Sequence, residues 1–170
     1  LYALEDFEDE AAIPALRAIA LNETDVKLAK AAVYAIEEME SESALEALVV
    51  ILNTAKEIEL KKASIYALED FEGTRAKKAV FDAALQANDE DLAKAAINAL
   101  EDLIDDEDSG MLSDVYTKTK FVSVKKYVLH ILESIGDENT IGILGQILAE
   151  EKNRDLRRYA VRALGETGED

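Results

Sequence analysis

Tyr66-Ala-Leu-Glu-Asp-Phe71 decides the fold, because it returns along the chain at a fixed interval. Tyr2-Ala-Leu-Glu-Asp-Phe7, Tyr34-Ala-Ile-Glu-Glu-Met39 and Asn98-Ala-Leu-Glu-Asp-Leu103 are near copies. His130-Ile-Leu-Glu-Ser-Ile135 and Arg162-Ala-Leu-Gly-Glu-Thr167 continue the series more weakly. Leu4, Ile36, Leu68, Leu100, Leu132 and Leu164 thus stand 32 residues apart with no insertion. A constant period of this size marks stacked units, each with an apolar face left bare until its neighbour covers it.

Outward from the motif, residues 9–40 hold two helical patterns parted by the polar stretch Asn22-Glu-Thr-Asp25. The first carries Ile13, Leu16, Ile19 and Ala20. The second carries Leu28, Ala32, Ala35, Ile36 and Met39, and Val33 adds a further apolar flank. Both stripes have helical spacing, and the wide second arc suits a helix that packs on its hairpin partner and on adjacent units. Alanines 31, 32, 35, 63, 67, 95, 96 and 99 permit the close approach of such stacking. The fold class is therefore all-α, an α-solenoid or superhelix of helix–turn–helix repeats. Complete units are expected at 9–40, 41–72, 73–104, 105–136 and 137–168, within a single domain spanning 1–170. Residues 1–8 read as the end of a truncated repeat, so a fragment of a longer solenoid is expected.

Composition agrees. Hydrophobic residues make up 49% and charged residues 33%, too apolar for disorder and too charged for a membrane protein. One proline, Pro14, and seven glycines offer little turn chemistry for many short strands. No uninterrupted apolar run is long enough for a membrane span, and the absence of cysteine fits a reducing, cytoplasmic setting.

Asp9-Glu-Ala-Ala-Ile-Pro-Ala-Leu16 at a first helix and Asp155-Leu-Arg-Arg-Tyr-Ala-Val-Arg-Ala-Leu-Gly165 at a second resemble HEAT-like repeats of the phycobilisome-lyase type. Gly136-Asp137 is the matching junction. The resemblance covers essentially the whole chain, and its motifs specify a scaffold without chemistry. It implies that second helices line the inner, concave surface. Glu5, Glu37, Glu69, Glu101 and Glu133 replace the glycine that Gly165 retains, so the second helices are expected to run on further before turning.

The outward positions of the second helices form columns. Lys30, Lys62, Lys94, Lys126 and Arg158 are one; Tyr34, Tyr66, Asn98, His130 and Arg162 lie four residues on; Glu37, Glu69, Glu101 and Glu133 follow three later. Each helix then carries a cation, a larger group and a carboxylate along one stripe, a candidate partner-binding ladder. The charged columns also serve as an ordinary solvated face, whereas exposed tyrosines are favoured at interfaces. All of the formal charge of −18 resides in residues 1–116, with 28 acidic and 10 basic side chains; residues 117–170 hold 9 of each. Such a field repels nucleic acid and anionic lipid and favours a basic protein or peptide. Arg154, Arg157, Arg158 and Arg162 form the opposing basic cluster, suited to an acidic partner or the acidic part of another copy.

Catalytic readings find little support. His130 is the only histidine and is followed by Ile131, which removes the paired His-Glu di-iron chemistry of some proteins with this architecture. Paired carboxylates such as Glu37-Glu38, Glu69-Asp70 and Glu101-Asp102 recur from unit to unit, whereas a catalytic pair must be singular and desolvated. Asp105-Asp-Glu-Asp-Ser-Gly110 has Tyr116 where a calcium loop needs a bidentate glutamate, and reads as an acidic turn capping the next helix. No phosphate loop or nucleotide fingerprint occurs. The reading is a non-enzymatic binding or scaffolding module with no cofactor or metal; the alternative is a bilin-lyase-like unit handling a tetrapyrrole.

Overall fold

The computed structural model describes residues 10–167; the repeat end expected at 1–8, with Leu4 and Glu5, lies outside the described residues. Among the described residues ten α-helices follow one another: α1 (Ile13–Asn22), α2 (Val26–Glu37), α3 (Glu42–Thr54), α4 (Ile58–Glu69), α5 (Thr74–Gln86), α6 (Glu90–Leu103), α7 (Ser109–Lys118), α8 (Val122–Ile135), α9 (Glu138–Glu150) and α10 (Arg154–Glu166). A 3-10 turn, Asp106–Asp108, precedes α7, and no strand occurs among the described residues. The protein is an all-α repeat fold.

Short polar residues start the helices. Asp25 accepts from the Lys27 and Leu28 amides, Ser41 from Ala44, Asp89 from Asp91 and Leu92, Asp137 from Thr140, and Asn153 from Asp155 and Leu156. Each cap satisfies amides that have no partner within the helix. Pro14 sits in the first turn of α1, where its missing amide costs no helical bond. Gly136 ends α8 in the left-handed conformation, φ 66°, and Asp137 at once caps α9, which makes Gly136-Asp137 a tight helix-to-helix junction.

The chain falls into two compact units, one ending at Ala83 and the other beginning at Ala84, so the division lies within α5. In the first unit α1 pairs with α2 and α3 with α4, while α2 packs on α4 and α1 on α3. Its core holds Ala29, Ala32, Val33 and Ile36 of α2, Leu48 and Ile51 of α3, and Leu60, Ile65 and Leu68 of α4. In the second unit α7 pairs with α8 and α9 with α10, and the second helices α6, α8 and α10 pack in succession. Ile97, Leu100, Leu129, Leu132, Leu144 and Leu156 are buried there.

Burial corrects the apolar stripes. Leu28 is 52% exposed and Ile19 is also open, while Leu16 is half-buried. The buried arc of α2 is Ala29, Ala32, Val33 and Ile36, so Val33 lies at its centre and not on its flank. Helix length also departs from expectation. α2 and α4 stop at Glu37 and Glu69, α6 and α8 run on past Glu101 and Glu133, and α10 continues through Gly165. Gly165 ends no helix, because its backbone remains helical.

Candidate functional site

In the first unit, the packing of α2 on α4 brings two copies of the stripe together. Tyr34 and Tyr66 are each 41% exposed and occupy the same place on the two helices. Beside them Glu59 of α4 binds two cations, Lys30 of α2 at 3.9 Å and Lys62 at 3.1 Å. One carboxylate thus holds both lysines, which lie four residues before Tyr34 and Tyr66 on their helices. The result is a surface with large aromatic area and restrained charge, low in the ordering cost that weakens flexible contacts.

The carboxylates of the ladder are less free than an outward column implies. Glu37 and Glu69 are half-buried. Burial, a hydrogen bond with Asp70 and the nearby charges of Asp70, Glu38 and Glu69 push the Glu37 carboxyl up to about 7. Both helices end here, and the negative ends of their dipoles add to the crowding. Glu37 therefore titrates near neutrality and is a proton-sharing contact between α2 and α4.

In the second unit Lys94 pairs with Glu90 at 3.0 Å, and Glu90 also accepts from the Ser123 hydroxyl of α8 at 2.6 Å. That hydroxyl and Lys94 hold the Glu90 carboxyl below its usual range. Asn98 is exposed. Glu101 accepts from the Tyr127 hydroxyl at 2.5 Å, which pushes that phenol up to about 12, aided by burial. Glu133 contacts His130 at 4.0 Å and Arg162 at 3.4 Å. Lys126 and Arg158 border a hollow above Tyr159 together with Arg162.

Sequence reasoning missed two clusters. Lys125 lies 4.6 Å above the ring of Tyr116, whose hydroxyl donates to Glu151 at 2.7 Å, while Lys125 and Glu151 approach to 3.5 Å. Burial alone would raise the Glu151 carboxyl, but the Asn153 amide, the Tyr116 hydroxyl and Lys125 together lower it. This clasp joins the fourth hairpin to the fifth. The second cluster is Tyr159 with its cations. The signal was an aromatic residue arriving in a column that begins small or aliphatic: Tyr116 follows Ala20, Leu52 and Ala84, and Tyr127 and then Tyr159 follow Ala31, Ala63 and Ala95.

The acidic run after Ile104 forms a turn. Asp108 accepts the Asp105 amide at 3.0 Å and the segment leads directly into α7. No cluster of three His, Cys, Asp or Glu able to hold a metal occurs among the described residues. No described helix is long and apolar enough to cross a membrane.

Successive helical hairpins, with second helix packed on second helix, define a helical-repeat protein. The chain belongs to the HEAT-repeat family: the pattern of HEAT repeats matches residues 13–101, just over half of its length. HEAT repeats are commonly protein-interaction scaffolds. No curated protein matches the sequence.

Proposed function

We propose that this chain holds a protein or peptide partner on the outward faces of its second helices and catalyses no reaction. One observation carries the reading: Tyr34 and Tyr66 stand exposed at matching places on packed helices, flanked by the Lys30–Glu59–Lys62 contacts. Bulky rings left in solvent have a use when a partner covers them. The acidic excess of residues 1–116 favours a basic segment at this face. Second helices beginning at Val26, Ile58, Glu90, Val122 and Arg154 support a 32-residue period. Within the family, the segment from Asp155 to Gly165 and the Gly136-Asp137 junction favour the phycobilisome-lyase subtype, and the lack of cysteine fits a cytoplasmic setting.

The test compares wild-type bait with Tyr34→Ala/Tyr66→Ala in capture from lysate, followed by affinity measurement on the recovered partner. Each ring is expected to contribute about 1–2 kcal/mol, so the double variant should bind one to three decades more weakly, at nearly unchanged melting temperature. Equal affinity for the same partner would refute the proposal.

A further inference from the structure

The outward columns change character along the sequence. Where the first three second helices carry Ala31, Ala63 and Ala95, the last two carry Tyr127 and Tyr159; where the first two carry Tyr34 and Tyr66, the last carries Arg162. The aromatic ring has moved three residues back and a guanidinium has taken its place. Tyr159 of α10 then meets Lys126 of α8 at 5.0 Å and Arg162 of its own helix at 5.2 Å from the ring centroid. Lys126, Arg158, Arg162, Tyr159 and Asp155 line a hollow of about 440 Å3.

Arg162 is tethered, to Glu133 at 3.4 Å and Glu166 at 3.8 Å, and its guanidinium is thereby held near the ring. Arg158 is exposed and makes no ion pair among the described residues. A second hollow, of about 470 Å3 and lined partly by Leu148 and Val161, also borders Arg158 and Arg162. The two arginines therefore stand open on both flanks. Lys126, Arg158 and Arg162, with Arg154 and Arg157 on the second hollow, are five cations against three carboxylates, Asp155 and the Glu133 and Glu166 that hold Arg162, so this face keeps a positive excess in a chain of formal charge −18.

We propose that the α8–α10 face is a receptor for an acidic peptide segment, whose carboxylates sit between Lys126, Arg158 and Arg162 above Tyr159. Charge complementarity selects the occupant. Arginine forks pair with carboxylates in two-point geometry, and the tyrosine ring supports the methylene stem of a glutamate. A nucleic-acid strand is the weaker fit, since its dense charge is repelled by the acidic remainder of the chain and by Asp155. The inference rests on the reading that second-helix faces hold protein, and names the partner chemistry of one of them.

The test uses the full chain and a fluorescent oligoglutamate peptide in low salt, with an oligothymidylate of equal length alongside. The wild type should bind the peptide saturably, Arg158→Glu should weaken binding at least about tenfold, and Arg158→Lys should retain it within about threefold. Tyr34→Ala/Tyr66→Ala should leave oligoglutamate binding unchanged. Circular dichroism melting verifies that the Arg158 variants are folded, as an exposed residue without an ion pair leads one to expect. Absence of saturable peptide binding, indifference to Arg158→Glu, or tighter Arg158-dependent binding of the oligothymidylate would each overturn the inference. Failure here with tyrosine-dependent capture intact sinks this inference alone; peptide binding intact with capture indifferent to the tyrosines sinks the other.

Discussion

Replacing Glu37 by glutamine should make the protein more stable at pH 8 and much less so near pH 5. Unfolded, the carboxyl titrates at its ordinary 4.5; folded, burial and the crowding of Asp70, Glu38 and Glu69 raise it to about 7. Between those values the folded chain binds more protons than the unfolded one, so stability falls as pH rises through this window and levels off above it. The full shift corresponds to about 3 kcal/mol, and solvent screening at a half-buried pair reduces this to about 1–2 kcal/mol. Glutamine imitates the protonated form and its amide can donate to Asp70. The gain at pH 8 should therefore appear as a rise of about 2–8 °C in melting temperature for a chain of this size. Urea denaturation of wild type and Glu37→Gln at pH 5, 6, 7 and 8 measures it, with the difference between the two curves isolating Glu37 from other titrating groups. A gain of equal size at pH 5 and pH 8, or a loss at pH 8, would refute the reasoning.

Leu68→Ala should cost about 2–5 kcal/mol in urea denaturation, because the side chain is fully buried, whereas Leu28→Ala should cost under about 1 kcal/mol because Leu28 is half in solvent. Tyr116→Phe removes the donor from the Tyr116–Lys125–Glu151 clasp and should cost about 1–2 kcal/mol by the same assay, Glu151 keeping Lys125 and the Asn153 amide. In an ultraviolet titration Tyr127 should ionise near pH 12, and Tyr127→Phe should remove that late step; stability should fall as pH rises from about 10 through 12, since the unfolded phenol releases its proton first.

The repeat made the interior legible before any coordinates. Ile36, Leu68, Leu100 and Leu132, chosen by spacing alone, are all fully buried, whereas Leu164 in the last hairpin is only half-buried. Placing the apolar arc within a helix was harder. In α2 the alanines contribute little to a hydropathy pattern, so Leu28 pulled the stripe one residue away from Ala29. The columns locate Tyr34 and Tyr66 and assign Glu37, Glu101 and Glu133 to a solvated face that supports the helices and keeps repeats in register, without naming their partners. Their partners, Asp70, Tyr127 and Arg162, lie on the neighbouring second helix, and a single column carries no record of such cross-helix distances. Tyr116 and Tyr159 were hidden for a related reason: their columns open with small or aliphatic residues in the first three repeats, and the aromatic rings enter only in the fourth, at Tyr116 and Tyr127, so similarity between repeats drew attention away from them.

The claim that a partner is held by second helices is tested most directly by site-specific photo-crosslinking. A photoreactive residue at Tyr66, on the outward face of α4, should crosslink to the captured partner, while the same group at the exposed Glu46 of α3 should not. Crosslinks from position 46 with none from position 66 would contradict the account and move the binding surface to the first helices.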